Sequence, residues 1–396
     1  MSEYLNLSRQ HQPHTVRLRR EIHEHPELGD DLHRTKAAVV CALQPLGLEM
    51  VESPTTSSFV ARMQTGRPGK TLILRADMDA LPMDEETGLD FASKVPGRMH
   101  SCGHDCHTAM LTSAACILHG LRDQLAGEVR FVFEADEEGD GGARVMMDEG
   151  LLDNGGSADA AFALHIMPTL KSGVVESRPG PIMSAADSFR FTLTGAGGHG
   201  SAPHQANDPI PVACEMIMAL QVMVTRKFST FEPVVISVGS IHAGTVSNII
   251  PDQVVFEATV RTCTEDARDR VDHLIRKIST QLAEAHDMAL KITRTQGSGA
   301  TINSSDFVDM LKDVVTDMTG PDGYVTKPEP YMAAEDFSSI VEKYGGAFAM
   351  LGVAPRDADP ASAAPLHSPR MMVDEDALAI GVATHVAVAS RFLAPR

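Results

Sequence analysis

Nine residues of this chain contain an unusual density of side chains that bind metal ions. The segment from Met99 to His107, MHSCGHDCH, holds two cysteines and three histidines between a strand-like run and a helix-like run. Cys102 and His104 flank one glycine, so a thiolate and an imidazole can face the same divalent ion. One buried cysteine or one core histidine is ordinary in any protein. The whole cluster favours a metal site, to which the fold must bring further ligands.

The composition indicates a globular protein and argues against some classes of partner. The chain has 396 residues, too many for one ordinary core, so two domains are expected. A formal charge of -19 with no basic block disfavours nucleic acid and anionic membrane. The first twenty residues contain no signal-peptide core, and no later run approaches a membrane span. A cytoplasmic location is therefore expected, with the six cysteines as free thiols or ligands.

A buried strand is predicted shortly before the cluster. Residues 71–82, TLILRADMDALP, form an apolar run that delivers Asp77 and Asp79 to its C-terminal end. In open α/β sheets, ligands gather outside the carboxyl ends of the strands. Two acids in a turn are also common without any function, so this pair gains its meaning from the strands that follow.

Two later strands also end in candidate ligands. Residues 128–138 predict a strand and loop that end in Glu137 and Glu138, and residues 160–166 predict a strand that delivers His165. Adjacent carboxylates can divide labour, one binding a metal while the other takes a proton. Directly after the cluster and before both strands, residues 108–125 have the apolar spacing of a buried helix. Three strand ends with such residues indicate one shared site.

The sequence pattern changes near residue 188 and predicts a separate β-α-β-β-α-β unit. This order is that of a compact two-layer insertion with an antiparallel sheet. The strands and helices are predicted at residues 188–194, 212–224, 234–239, 254–261, 265–286 and 290–295. After a return linker, the first domain resumes with elements predicted at residues 305–318, 334–343, 347–353 and 375–393, and His367 precedes the last of these.

A glycine pattern in the inserted segment resembles a dinucleotide fingerprint but does not fit one. Gly195, Gly197 and Gly200 match G-x-G-x-x-G. That motif needs a helix that opens on its last glycine, whereas prolines are expected to postpone the helix until about residue 212. The loop instead presents His199 on a flexible backbone.

Taken together, the motifs resemble the aminoacylase and carboxypeptidase-like family of metal-dependent amidohydrolases. Within it they are most similar to the branch that contains hippurate hydrolase and the hydrolases of indole-acetyl-amino-acid conjugates. The resemblance rests on HEHPEL, RADMDALPM, MHSCGHDCHTAML, EEGDGGA, ALHIMP, GAGGHGSAPH, SNIIPD and LHSPR, in the family's order. It implies an α/β/α catalytic domain, residues 1–184 and 298–396, interrupted by an α+β ferredoxin-like lid and dimerisation domain, residues 185–297.

The resemblance also implies a metal centre. Its ligands would be Cys102, His104, Glu138, His165 and His367, which together can hold two divalent ions. Thiolate and imidazole favour zinc, while the carboxylate and a two-ion site also admit manganese, cobalt or nickel.

Further residues receive catalytic and binding roles from the same resemblance. Glu137 would be the general base and then the general acid, with Asp79, beside Asp77, orienting the ligands. His199 would reach the active site of a partner subunit and donate a hydrogen bond to the oxyanion. Asn248 and Arg261 would grip the substrate, since a guanidinium binds a free carboxylate bidentately.

The expected reaction is hydrolysis of an N-acyl-L-amino acid to a carboxylic acid and a free amino acid. A dipeptidase or an N-acetyl-diaminopimelate deacetylase is the alternative among enzymes, and a catalytically silent metal- or peptide-binding relative is the alternative outside them. Two departures from the family pattern stand near the site. Glu134-Ala135-Asp136 replaces the common Gln-Pro-Ala, and Cys106 stands where a small residue is usual and is expected to be buried.

Overall fold

The computed structural model describes residues 3–139, 141–357 and 359–395 and divides the chain into two compact units. The first unit comprises Met1–Ile182, Ile302–Glu329 and Asp336–Arg396, and the second comprises Met183–Thr301 and Pro330–Glu335. The first is discontinuous in sequence because Met183–Thr301 is inserted into it, and the second because Pro330–Glu335 returns to it.

The structure forms helices and strands throughout both units. The helices are α1 (Glu3–His23), α2 (His33–Leu43), α3 (His104–Leu121), α4 (Gly142–Asp148), α5 (Pro209–Lys227), α6 (Glu265–Ala285), α7 (Ser305–Thr319), α8 (Ser338–Tyr344) and α9 (Leu378–Phe392). The strands are β1 (Glu49–Glu52), β2 (Phe59–Gln64), β3 (Lys70–Asp77), β4 (Gly127–Glu134), β5 (Ala160–Met167), β6 (Val175–Ser177), β7 (Gly180–Met183), β8 (Ala185–Thr194), β9 (Gly198–His199), β10 (Val234–Ala243), β11 (Ile249–Ile250), β12 (Gln253–Thr262), β13 (Ala289–Gln296), β14 (Thr301–Asn303), β15 (Tyr324–Thr326) and β16 (Gly346–Gly352).

The first unit is built on a mixed sheet with strand order β1-β2-β4-β3-β5-β16-β6-β15. Its central strands β4, β3, β5 and β16 are parallel, so their carboxyl ends lie at one edge. These strands are buried almost throughout, as expected for a sheet covered on its faces. Helices α1, α3 and α9 pack against one another and bury an apolar core with the sheet. The prediction of an α/β fold is confirmed.

Helix α3 begins four residues earlier than predicted. Gly103 adopts φ +92°, a left-handed conformation that glycine accepts at little cost, and it caps the helix N-terminus. The apolar spacing used for the prediction becomes regular only after Thr108. His104 therefore lies in the first helical turn.

The second unit is a four-stranded antiparallel sheet, ordered β10-β12-β8-β13, with α5 and α6 packed against it. The predicted β-α-β-β-α-β order is present, and the short ribbon of β9 and β11 is an addition that the sequence pattern did not indicate. Helix α5 begins at Pro209 and not near residue 212, because proline is well tolerated in the first turn.

The stretch Pro330–Glu335 belongs to the second unit, whereas the sequence prediction left it in the first. The Ser184 N–H donates to the carbonyls of Tyr331 and Ala333 at 3.0 and 2.9 Å. Contacts between segments so far apart in sequence leave no periodic signal.

Within the described ranges, helix α5 alone is long and apolar enough to cross a membrane. Helices in the core of a protein can have the same length and composition, so this finding is weak evidence for a membrane span.

Candidate metal centre and active site

The site lies at the carboxyl edge of the parallel strands. Strand β3 ends at Asp77, and its neighbours β4 and β5 deliver the loop with Glu137 and Glu138 and the side chain of His165. All four side chains therefore reach one edge of the first unit, as the strand ends predicted.

The structure brings the five predicted ligands into overlapping groups. Cys102 Sγ lies 3.4 Å from His165 Nε2, and His367 Nε2 lies 3.2 Å from Glu138 Oε1. Donor atoms within 4.8 Å of one another come from Cys102, His104 and His165 in one group, from Cys102, Glu138 and His367 in another, and from His104, Glu137 and Glu138 in a third. Cys102 belongs to two of these groups, which suits a thiolate between two ions.

Buried polar atoms without hydrogen-bond partners support this fit. Among the described residues, the two ring nitrogens of His104 and Glu138 Oε1 are buried and complete no hydrogen bond of good geometry, although Asp79 lies 3.3 Å from His104 Nδ1 and His367 lies 3.2 Å from Glu138 Oε1. An unsatisfied buried polar group costs free energy, so such atoms call for a ligand. Imidazole, thiolate and carboxylate together are the donor set of zinc and related divalent ions.

The electrostatics of these groups differ from one another. Burial opposes charge on the His104 imidazole, but Asp77 and Cys102 outweigh it and raise its pKa well above the ordinary range. Burial also raises the pKa of the Cys102 thiol, which His104 offsets only in part. Burial and the neighbouring His107 lower the pKa of His165, so this imidazole is neutral, the form that binds a metal.

Asp79 organises the loop of the paired glutamates. Its carboxylate accepts the backbone N–H of Glu137 at 3.2 Å and of Glu138 at 3.0 Å. The same carboxylate lies 3.3 Å from His104 Nδ1. Asp79 thus fixes the position of the candidate base Glu137 relative to the candidate ligand His104. An acidic residue that only formed a turn would not make these contacts.

His367 is held in an uncommon backbone conformation. Its φ is +63°, and its N–H donates to the Ser101 carbonyl at 2.8 Å, which ties the loop to the residue before Cys102. Left-handed backbone at a residue other than glycine is costly and clusters at functional sites. The imidazole is half exposed, so this side of the site is open to solvent.

A buried charge network, which the motifs did not predict, lies behind the site. Arg75 donates to Asp77 at 2.6 Å, to Glu134 at 2.7 Å and to Asp336 at 3.0 Å. Asp336 also accepts the N–H of Ala143 at the start of α4. A charged residue inside a strand predicted to be buried is the signal that would have found it, because such a charge needs partners.

The two departures from the family pattern are accommodated inside the protein. Glu134 is buried against Arg75, so its charge is compensated by a guanidinium. Cys106 is fully buried in the apolar core, and burial raises the pKa of its thiol well above the ordinary range. It is therefore a packed neutral side chain, as expected.

The remaining predicted residues lie in the second unit. His199 on β9 pairs with Ile249 on β11, and the Gly200 N–H donates to the Asn248 carbonyl at 2.9 Å, so His199 and Asn248 are close neighbours. Arg261 lies on strand β12, where its guanidinium donates to Thr259 Oγ1 at 2.7 Å. The roles of these residues stay predictions.

This site defines a class of protein: a hydrolase that depends on divalent metal ions. The chain matches the model of peptidase family M20/M25/M40 over residues 73–391, and it belongs to that family. It is a metal-dependent amidohydrolase, and the resemblance noted from its motifs is confirmed.

Individual relatives agree with this assignment. Thermostable carboxypeptidase 1 of Saccharolobus solfataricus is 37% identical over 383 residues, 95% of each chain. IAA-amino acid hydrolase ILR1-like 2 of Arabidopsis thaliana is 33% identical over 96% of this chain and 85% of its own. The crystal structure of a dinuclear metal-binding M20 peptidase from Bacillus subtilis matches with a TM-score of 0.85 at 30% identity, covering 97% of this chain and 99% of that one.

Proposed function

We propose that this enzyme hydrolyses the amide bond of N-acyl-L-amino acids to a carboxylic acid and a free amino acid. The observation that carries the proposal is the convergence of five donor side chains beside Glu137 at one sheet edge. A relative named for hydrolysis of an amino-acid conjugate supports it. A relative named a carboxypeptidase supports peptides as a second substrate class, so dipeptide hydrolysis is the alternative.

Cys102, His104, Glu138, His165 and His367 would hold the cofactor, with two ions per subunit and zinc as the favoured metal. When bound, a divalent ion lowers the pKa of water to roughly 7 and polarises the amide carbonyl. The similarity to the dinuclear metal-binding peptidase from Bacillus subtilis supports two ions. Manganese, cobalt and nickel suit the same donors and remain to be compared.

Glu137 would move the protons of the reaction. Its carboxylate Oε2 lies 3.9 Å from His104 Nε2, which places Glu137 beside the proposed ligands. As general base it takes the proton from the attacking water, and as general acid it returns that proton to the departing amine. Asp79 holds the Glu137 backbone and so sets the distance over which the proton moves.

His199 has the tautomer that an oxyanion donor needs. The Ser201 N–H donates to His199 Nδ1 at 3.1 Å, so the neutral ring carries its proton on Nε2. In the proposed enzyme this Nε2–H donates to the oxyanion in a partner subunit's active site. Arg261 would bind the substrate carboxylate, with Asn248 beside it.

A homodimer through the second unit is part of the proposal. Strand β10 lies at the edge of its sheet, so one side of its backbone is available for pairing. Met218 and Val222 on α5 and Ile241 on β10 are exposed apolar side chains of the same unit. These side chains are candidate contacts for such a dimer. We place the enzyme in the cytoplasm.

Glu137→Gln tests the enzyme against a silent metal binder. The amide keeps the size of the side chain but cannot accept the proton, so turnover should fall by at least about 100-fold. Metal content and substrate binding should stay at the wild-type level. Glu52→Gln, at an exposed strand residue, is the matched control. Normal turnover in Glu137→Gln would remove the proposed base, and loss of metal would instead make Glu137 a ligand.

Mixed dimers test the trans role of His199. His199→Ala alone should lose about 100- to 1,000-fold in kcat, the usual effect of one oxyanion donor. In a dimer of one His199→Ala subunit and one Glu137→Gln subunit, one active site has both intact residues. Random mixing of the two inactive variants should then restore roughly a quarter of the wild-type activity. No restoration would contradict a trans role.

A further inference from the structure

His107, the third histidine of the cluster, makes hydrogen bonds with both ring nitrogens. Nδ1 lies 2.6 Å from Asp77 Oδ1, and Nε2 lies 2.8 Å from the backbone nitrogen of Ile166. An amide N–H can only donate, so Nε2 is the acceptor and the ring proton is on Nδ1, where it faces the carboxylate. The side chain is buried in one fixed tautomer.

The bond to Asp77 is anchored deep in the protein. The other oxygen of the Asp77 carboxylate accepts from Arg75 at 2.6 Å, and both side chains are buried. Arg75 is itself fixed by Glu134 on the neighbouring strand and by Asp336. A short buried ion pair of this kind defines geometry more reliably than it adds stability. Asp77 is thus a fixed point from which His107 is oriented.

The bond to Ile166 reaches the residue next to a proposed ligand. His165 Nδ1 donates to the Ile166 carbonyl at 2.7 Å, which leaves His165 Nε2 directed at Cys102. The Ile166 side chain fills the space over Gly103, where a Cβ would lie within 2.6 Å of Ile166 Cδ1. All three parts of Ile166, its N–H, carbonyl and side chain, are therefore held by residues of the site.

We propose that His107 is a positioning residue that fixes the His165–Ile166 peptide, and through it the direction of His165 Nε2. In this proposal it is not a metal ligand, although its ring lies 4.3 Å from that of His165 between centroids and one of its ring nitrogens lies within 4.8 Å of donor atoms of Asp77 and His104. To bind an ion, His107 would have to give up one of its two bonds and leave either Asp77 Oδ1 or the Ile166 N–H buried without the partner it now has. The inference rests on the proposed role of His165 in the metal centre.

Two substitutions separate the two bonds of His107. His107→Asn retains a donor near Nδ1 but has no group long enough to accept from Ile166. His107→Gln retains an acceptor near the position of Nε2. The probe is Co²⁺ added to metal-free protein, since its visible bands report ligand geometry and its near-ultraviolet thiolate band reports binding by Cys102.

His107→Asn should weaken Co²⁺ binding by about 10- to 100-fold and shift the visible bands, the usual effect of removing support behind a ligand. His107→Gln should lie nearer to wild type in both readouts. His385→Gln is the control for simple core damage, because His385 is buried in α9 but lies outside this chain of hydrogen bonds. It should lower the melting temperature without shifting the bands.

Three results would overturn the positioning role. These are wild-type Co²⁺ affinity and spectrum in His107→Asn, equal spectral changes in His385→Gln, and loss of one whole ion per subunit in both His107 variants, which would make His107 a ligand. Cys102→Ser separates failure of the metal centre from failure of this inference. If wild type shows no thiolate band that Cys102→Ser removes, the proposed centre is wrong and the positioning role falls with it.

Discussion

The glycine between the first two candidate ligands offers the sharpest test of the local geometry. Gly103 adopts φ +92°, and a Cβ there would lie within 2.6 Å of Ile166 Cδ1 and closer still to Cγ1. Ile166 is fully buried on β5, so its side chain is part of the packed core. Gly103→Ala therefore combines a strained backbone with a steric clash.

The two costs can be added for a working magnitude. A left-handed conformation costs a residue other than glycine about 1–2 kcal/mol. Forcing an extra carbon into a packed core costs about 1–3 kcal/mol. The sum, about 2–5 kcal/mol, is smaller than the stability of many domains, about 5–15 kcal/mol. We expect Gly103→Ala to fold, to melt on the order of 10 °C lower, and to bind metal more weakly because Cys102 and His104 shift.

Two other glycines serve as controls for the backbone cost and the steric cost. Gly88 has φ +72° and no atom within 4 Å of the position that a Cβ would take, so Gly88→Ala carries only the backbone cost of about 1–2 kcal/mol. Gly120 lies in helix α3 with open space around it, so Gly120→Ala should be neutral or stabilise by up to about 1 kcal/mol. The assay is thermal unfolding followed by metal titration. If Gly103→Ala lost no more stability than Gly88→Ala and kept wild-type metal affinity, the packing of Ile166 against this turn would be refuted.

Other residues give further expectations. Asp79→Asn should keep the fold but weaken metal binding by about 10- to 100-fold, because the N–H groups of Glu137 and Glu138 bond to different oxygens of Asp79 and the amide replaces one of these oxygens with a donor; unchanged affinity by metal titration would contradict this. Asp187→Asn should destabilise the second unit by about 3–5 kcal/mol in denaturant unfolding, since it removes the buried carboxylate of the pair with Arg268 and leaves this guanidinium with the exposed Glu265 as its acidic partner. Burial raises the pKa of Asp187, but hydrogen bonds from arginines outweigh it and hold the pKa below the ordinary range, so this stabilisation is present at neutral pH and is lost as the pH falls through the folded pKa; equal acid sensitivity in the variant would argue against it. A chelator should lower the melting temperature, with a loss of about 2.7 kcal/mol where the metal had stood at 100 times its Kd.

The central strands could be predicted because their signal is local. Buried parallel strands are continuous apolar runs, and Asp77, Glu137 and His165 each follow or end such a run. The parallel order then places their ends at one edge, so the candidate site needed no long-range information. The compact inserted unit was predictable for the same reason, since its strands alternate and its helices are amphipathic.

The supporting shell could not be predicted in this way. Arg75 and Asp336 are 261 positions apart, and no periodicity links them. The tautomer of His107, on helix α3, depends on the backbone N–H of Ile166 on strand β5. The early start of α3 depends on one left-handed glycine, Gly103. These features are decided by tertiary packing, which is also why they position the ligands.

The most direct test of the account is a substrate panel assayed with defined metals. Metal-free protein would be reconstituted separately with Zn²⁺, Mn²⁺, Co²⁺ or Ni²⁺ and given N-acetyl and N-benzoyl amino acids and dipeptides, with release of free amino acid as the measurement. The proposed function predicts release that depends on the metal, is stronger on N-acyl-amino acids than on dipeptides, and is lost in Glu137→Gln. If no metal restored hydrolysis of any substrate while Cys102 and His104 still bound an ion, the proposed activity on N-acyl-amino acids would be contradicted.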